Sequence, residues 1–161
     1  MAGTRAALFA IVALGCGAPP GAERADLQAY LERTKGWAPV EAETARTLER
    51  ILATEFVDEA EVRHQIDDSR PRILTHLERV RAYTPRSEAV QRIHETYIKA
   101  WQSLLEGYDA IVAGFTSGDY TRLAAGREGM ARWKEGIVRA AQDLRELSQR
   151  LGVSTERATP T

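Results

Sequence analysis

Three histidines, His64, His76 and His94, are the only imidazoles in the chain, and one of them has a carboxylate at ligand spacing: Glu61 and His64 form a Glu-x-x-His. Three residues apart on a helix, a carboxylate and an imidazole project from one face, as in di-iron carboxylate bundles. Such a site needs a second Glu-x-x-His and two further carboxylates. His76 has Arg72 and Ile73 where its partner would stand, and His94 has Val90 and Gln91. The metal motif is therefore half present. Asp58 followed three residues later by Glu61 also matches a capping box, which accounts for Glu61 without a metal. His94 falls among Tyr97, Trp101 and Tyr108 on an apolar seam. From there an imidazole could ligate a cofactor, titrate as a switch, or serve only as a hydrogen-bonded group near the end of a bundle.

Other chemistries find no residues to carry them. The chain has no Gly-x-Ser-x-Gly and no Cys-x-x-Cys-His, so neither a nucleophile elbow nor covalent c-type haem is expected. Gly126-Arg127-Glu128-Gly129 lies in a helical pattern and lacks the Gly-Lys-Ser/Thr of a phosphate loop. Asp67 and Asp68 are adjacent and do not face each other, which does not suit acid/base work. Lys and Arg number 22 against 23 Asp and Glu, for a formal charge of −1, which argues against a nucleic-acid footprint. The many Arg residues are interleaved with Glu at helical spacing, as in Glu128/Arg132 and Glu135/Arg139, and read as an ion-paired, solvated surface. No catalytic activity and no cofactor are expected.

The single cysteine sits at a particular place. Arg5 precedes the apolar run Ala6 to Leu14, too short to span a bilayer but suited to the hydrophobic region of a secretory signal. The run ends in Ala13-Leu14-Gly15-Cys16, which resembles the lipobox of bacterial lipoproteins with its first two residues exchanged. The resemblance implies cleavage before Cys16, lipid attachment at Cys16 and a mature protein held at the cell envelope. With Gly17 rather than Asp next, the family's sorting tendency implies the outer membrane, facing the periplasm, if the cell is Gram-negative. Residues 16–23 then read as a Pro- and Gly-containing tether.

From Arg24 onward Ala, Leu, Glu, Arg and Gln dominate and no alternation of strand type persists, so the chain is expected to be all-α. The clearest helix runs from Pro85 to about Phe115, with Thr84 as its cap and Val90, His94, Tyr97, Trp101, Leu104, Tyr108 and Ile111 as an a/d seam. Gly118 closes it and Asp119 caps the next helix, whose inner face is read as Leu123, Met130, Ile137, Ala141, Leu144 and Leu151, with Gly152 as its stop. Small residues line both helices of this hairpin, and a turn centred on Gly118 sets Gly107 against Gly129, Ala110 against Gly126 and Ala100 against Gly136. Close backbone packing accounts for that stripe; a ligand groove beside Trp133 is the other reading.

The first half is less regular. Gly36-Trp37-Ala38-Pro39 is expected to interrupt one helix, Asp58 to start another, and Pro71 to kink it, although a parse that runs on to Ile66 and restarts at Ser69 to Pro71 also fits. Trp37 and Trp133 are expected to be partly exposed. The whole reads as an antiparallel, up-down-up-down four-helix bundle over 24–152, followed by a tail, 153–161, with little to bury. The function expected is a non-catalytic binding or structural module, anchored to the membrane through Cys16 and contacting an envelope protein, with homo-oligomers permitted by any open face. The alternative is a ligand- or metal-sensing bundle that uses His94 or Glu61 with His64.

Overall fold

A computed structural model describes residues 20–154. The signal segment 1–15, Cys16 and most of the tail lie outside the described residues. Four helices follow one another, α1 Pro20–Ala53, α2 Glu59–Arg81, α3 Glu88–Ser117 and α4 Tyr120–Arg150. No strand occurs among the described residues, so the chain is an all-α helical bundle. Because α1 opens at Pro20, residues 20–23 of the stretch read as a tether are helical. None of these helices is long and apolar enough to cross a membrane.

The expected break at Gly36-Trp37-Ala38-Pro39 does not occur, and α1 runs through it. Proline removes a bond to the carbonyl four residues back, here Lys35. Lys35 is exposed, so water can take that carbonyl, while burial of Trp37 on the inner face fixes the helix on both sides. The same holds for Pro71 within α2, whose unmatched carbonyl belongs to exposed Asp67. Asp58 caps α2 as its spacing implies, its Oδ1 accepting from the Glu61 amide at 3.0 Å. Between α1 and α2 the chain turns through Glu55 and Phe56, at φ 50° and 60°, a left-handed conformation that costs a non-glycine residue about 1–2 kcal/mol. Packing holds them there, for the Phe56 ring meets Phe115 at 6.3 Å and lies under the Arg127 guanidinium at 4.6 Å.

α3 begins at Glu88, three residues later than Pro85, and Thr84 is not its cap. The reason lies in α1. Asp26, 7% exposed, accepts from the amides of Arg86 at 3.0 Å and Ser87 at 2.8 Å and from Ser87 Oγ at 2.8 Å. These bonds keep Ser87 extended, at φ −87° and ψ 142°, and tie the α2–α3 connection to α1. At the far end of α3, Gly118 at φ 66° closes the helix, and Asp119 Oδ1 caps α4 through the Thr121 amide at 2.9 Å, both as expected.

The α3/α4 hairpin is the tightest part of the molecule. A Cβ placed on Gly129 would lie 2.6 Å from Gly107 Cα and 2.7 Å from Ser103 O, and one on Gly136 would lie 2.6 Å from Ala100 Cβ. Two of the three expected pairings are thus found. The third is not: Gly126 faces Ile111 and the Gly107 carbonyl, while Ala110 is only half-buried. The pairs descend along one helix as they ascend along the other, so α3 and α4 run antiparallel. The Arg50–Gln65 and Arg72–Glu43 contacts give α1 and α2 the same relation.

The inner face of α4 also differs from its sequence reading. It passes through Met130, Trp133, Ala140 and Leu147, and Ala141 is exposed. A 3.6-residue period drifts relative to a strict heptad over eight turns, which moves the seam one residue back by mid-helix.

Candidate functional site

Seven aromatic or imidazole rings fill the middle of the bundle. Trp37 stacks on Tyr97 at 5.3 Å and meets Tyr30 edge-on at 5.6 Å, while His76 packs on Trp101 at 4.6 Å and Trp101 on Trp133 at 5.4 Å. Trp37 and Trp133 are 7% and 4% exposed, which corrects the expectation of partial exposure. Trp37 is drawn inward by the continuity of α1, and Trp133 by the glycines on either side that bring α4 against α3.

Through this layer runs a polar chain. Tyr97 Oη donates to Glu41 Oε1 at 2.7 Å, so its 3.0 Å contact with His76 Nε2 has the imidazole as donor. His76 is thereby fixed as the Nε2–H tautomer. Burial lowers its pKa to about 4, with Arg79 adding to the shift, so it is neutral near pH 7. Burial, reinforced by the charge of Glu41, pushes the Tyr97 phenol far up, and the same two causes in the same order raise Tyr30. His94, 5% exposed, lies 3.4 Å through Nδ1 from Tyr30 Oη. Burial lowers its pKa against the opposing pull of the Tyr83 and Val80 backbone. The Nε2 of His94 and the Nε1 atoms of Trp101 and Trp133 are buried without a hydrogen-bond partner.

The chain reaches solvent in one direction. The backbones of α1 and α4 stay apart along most of their length, and the polar links between them lie at one end, Arg24 to the Gly152 carbonyl at 3.0 Å and Arg150 to Glu23 at 3.1 Å. The space between is a cleft of about 710 Å³. Its floor is Ile93 and Tyr97 of α3, its walls include Leu31 and Glu41 of α1 and Ile137, Leu144 and Arg145 of α4, and Val153 and Ser154 close one end. Volumes of 300–1,000 Å³ with an apolar lining and a few placed polar groups are typical of small-molecule sites.

The residues singled out from sequence are distributed differently. His64 is exposed, and Glu61 Oε1 accepts from Gln65 Nε2 at 2.6 Å, so this pair is a surface feature of the first turns of α2. Among the described residues no group of three or more His, Cys, Asp and Glu is placed to hold a metal ion. His94 lies behind Tyr30 rather than on the cleft wall, and the groove sought beside Trp133 opens instead between α1 and α4. Glu41 was missed, and His76 was weighed only as a metal ligand. The signal for Glu41 was in the sequence, since it stands four residues beyond Trp37 on the same helical face, but the supposed break at Pro39 separated the two.

Comparison with protein-family models, with curated proteins and with solved structures gives no match to this chain.

Proposed function

We propose that this protein is a non-catalytic binding module, held at the bacterial cell envelope by a lipid on Cys16, and that the cleft between α1 and α4 is where it binds. The observation that carries the binding role is the cleft itself, where an apolar floor meets a carboxylate, Glu41, oriented from behind by Tyr97 and His76. The anchor rests on the lipobox-like Ala13-Leu14-Gly15-Cys16. Several acyl chains on one residue would hold the domain firmly, whereas one chain binds only marginally. The up-down-up-down order of the four helices as one closed bundle belongs to the same reading, and it sets the start of α1 and the end of α4 at the membrane side, where Arg24 meets Gly152.

Two experiments test the two halves. The N-terminal peptide of the membrane-fractionated protein should carry di- or triacylated Cys16, and Cys16→Ser should lose both the lipid and the membrane association. An unmodified Cys16 would remove the anchor. For the cleft, Ala141→Trp on the exposed wall of α4 should abolish complexes recovered by gentle crosslinking from intact cells; unchanged complexes would move the binding surface elsewhere.

A further inference from the structure

We infer that the connection between α2 and α3 is a docking surface for anionic lipid headgroups, which hold the anchored bundle end-on against the membrane. This rests on the anchor at Cys16. Arg79, Arg81 and Arg86 follow one another closely, and no acidic residue stands between Arg79 and Ser87. All three are exposed, and none is ion-paired with a carboxylate among the described residues. Cations at the C-terminal end of α2 suit its dipole, which accounts for Arg79 and Arg81. Arg86 precedes the N-terminus of α3, where the dipole disfavours positive charge, and an anionic partner outside the chain offsets that cost.

The same end of the bundle carries the anchor. Asp26 accepts from the Arg86 and Ser87 amides at 3.0 and 2.8 Å, so the connection lies beside the first turns of α1. From Cys16 to Pro20 is a step of four residues, at most about 14 Å of fully extended chain. Attraction to an anionic surface falls off within a Debye length, about 8 Å at physiological salt, so this tether keeps the arginines within one or two such lengths of the headgroups. Gln91, donating to the Pro85 carbonyl at 2.9 Å, fixes the connection from the α3 side. A recess of about 380 Å³ opens there between Ala22 and Ala25 of α1 and Tyr83, Thr84 and Arg86. Its guanidinium suits phosphate oxygens, and Tyr83 is of a type favoured at membrane–water interfaces. The acids nearby are engaged, Asp26 by those amides, Glu23 by Arg150 at 3.1 Å and Glu88 by Arg92 at 2.6 Å, and Glu78 alone leaves the local balance positive.

The test uses the full chain carrying Cys16→Ser, so that no acyl chain contributes, and measures its partition onto vesicles of phosphatidylcholine alone or mixed equally with phosphatidylglycerol. The N-terminal segment is common to every variant. The chain has a formal charge of −1, yet it should prefer the anionic vesicles, and high salt should remove the preference. Replacing Arg79, Arg81 and Arg86 together by Gln should weaken binding to the anionic vesicles by roughly a hundredfold, and Arg86→Gln alone by about fivefold, with the far-ultraviolet circular dichroism unchanged. Replacing Arg132, Lys134 and Arg139, exposed on the middle of α4, removes the same charge elsewhere and should leave the preference in place. No preference in the parent, a preference that survives the loss of all three arginines, or an equal loss in the α4 variant would overturn the docking surface. Any of these would leave the anchor standing, whereas an unmodified Cys16 in cells would remove the anchor whatever the vesicles show.

Discussion

Two seams of the same bundle, both involving α4, are built in opposite ways. Against α3, α4 presents Gly126, Gly129 and Gly136, and the backbones meet so closely that a single Cβ has no room. Against α1 it presents Ile137, Ala141, Leu144 and Arg145 across a cleft of about 710 Å³. The difference follows from residue size. α1 turns Tyr30 and Trp37 inward, and Trp37, stacked on Tyr97 with Tyr30 edge-on against it, spreads α1 away from α4. Small residues seal one seam and large rings prop the other open. Titratable groups follow the same division, for His76, Glu41 and Tyr97 stand at the propped side.

The largest effect should come from breaking the sealed seam. Gly129→Leu forces a side chain against the Gly107 and Ser103 backbone, where nothing flexible can yield, and should lower stability by about 3 kcal/mol or prevent folding, as read by urea denaturation. Acid should attack the open side instead. His76 is neutral in the folded protein, with its pKa depressed to about 4 from 6.5, so between those values the unfolded chain binds more protons and stability rises with pH. The stabilisation is complete above about pH 6.5 and falls away towards pH 4, by at most about 3 kcal/mol. His94, also depressed by burial, contributes with the same sign. Amide exchange at pH 4 to 5 should therefore quicken in α1 and α2 before it does in the α3/α4 hairpin.

Smaller effects separate the two turns. Gly118→Ala, at φ 66°, should cost about 1 kcal/mol. Glu55→Gly, at φ 50° in the other turn, should raise stability by up to about 1 kcal/mol by relieving a left-handed non-glycine residue. Smallest of all should be Ala141→Trp on the open seam, within about 0.5 kcal/mol in a thermal melt, because that side chain faces the cleft.

These contrasts also mark what could be read in advance. The sealed seam was legible, because Gly107, Gly129, Ala100 and Gly136 carry their register in their spacing about Gly118. Asp58, Gly118 and Asp119 act locally, and their capping roles were legible for that reason. The open seam was not. Its shape depends on α1 running straight through Pro39, where the buried ring of Trp37 outweighs one lost backbone bond, and local rules about proline point the other way. The late start of α3 has a similar origin, since Asp26, some 60 residues distant in sequence, holds the amides of Arg86 and Ser87.

The claim that the propped seam is the working surface can be tested directly in cells. A photo-crosslinking amino acid placed at Ala141 on the cleft wall, or at exposed Thr75 on α2, reports what each face touches, and the intact mass of any adduct identifies a small molecule or a protein. Adducts of discrete mass from Ala141 and none from Thr75 are the expected result. Equal adducts from both positions, or adducts from Thr75 alone, would contradict it.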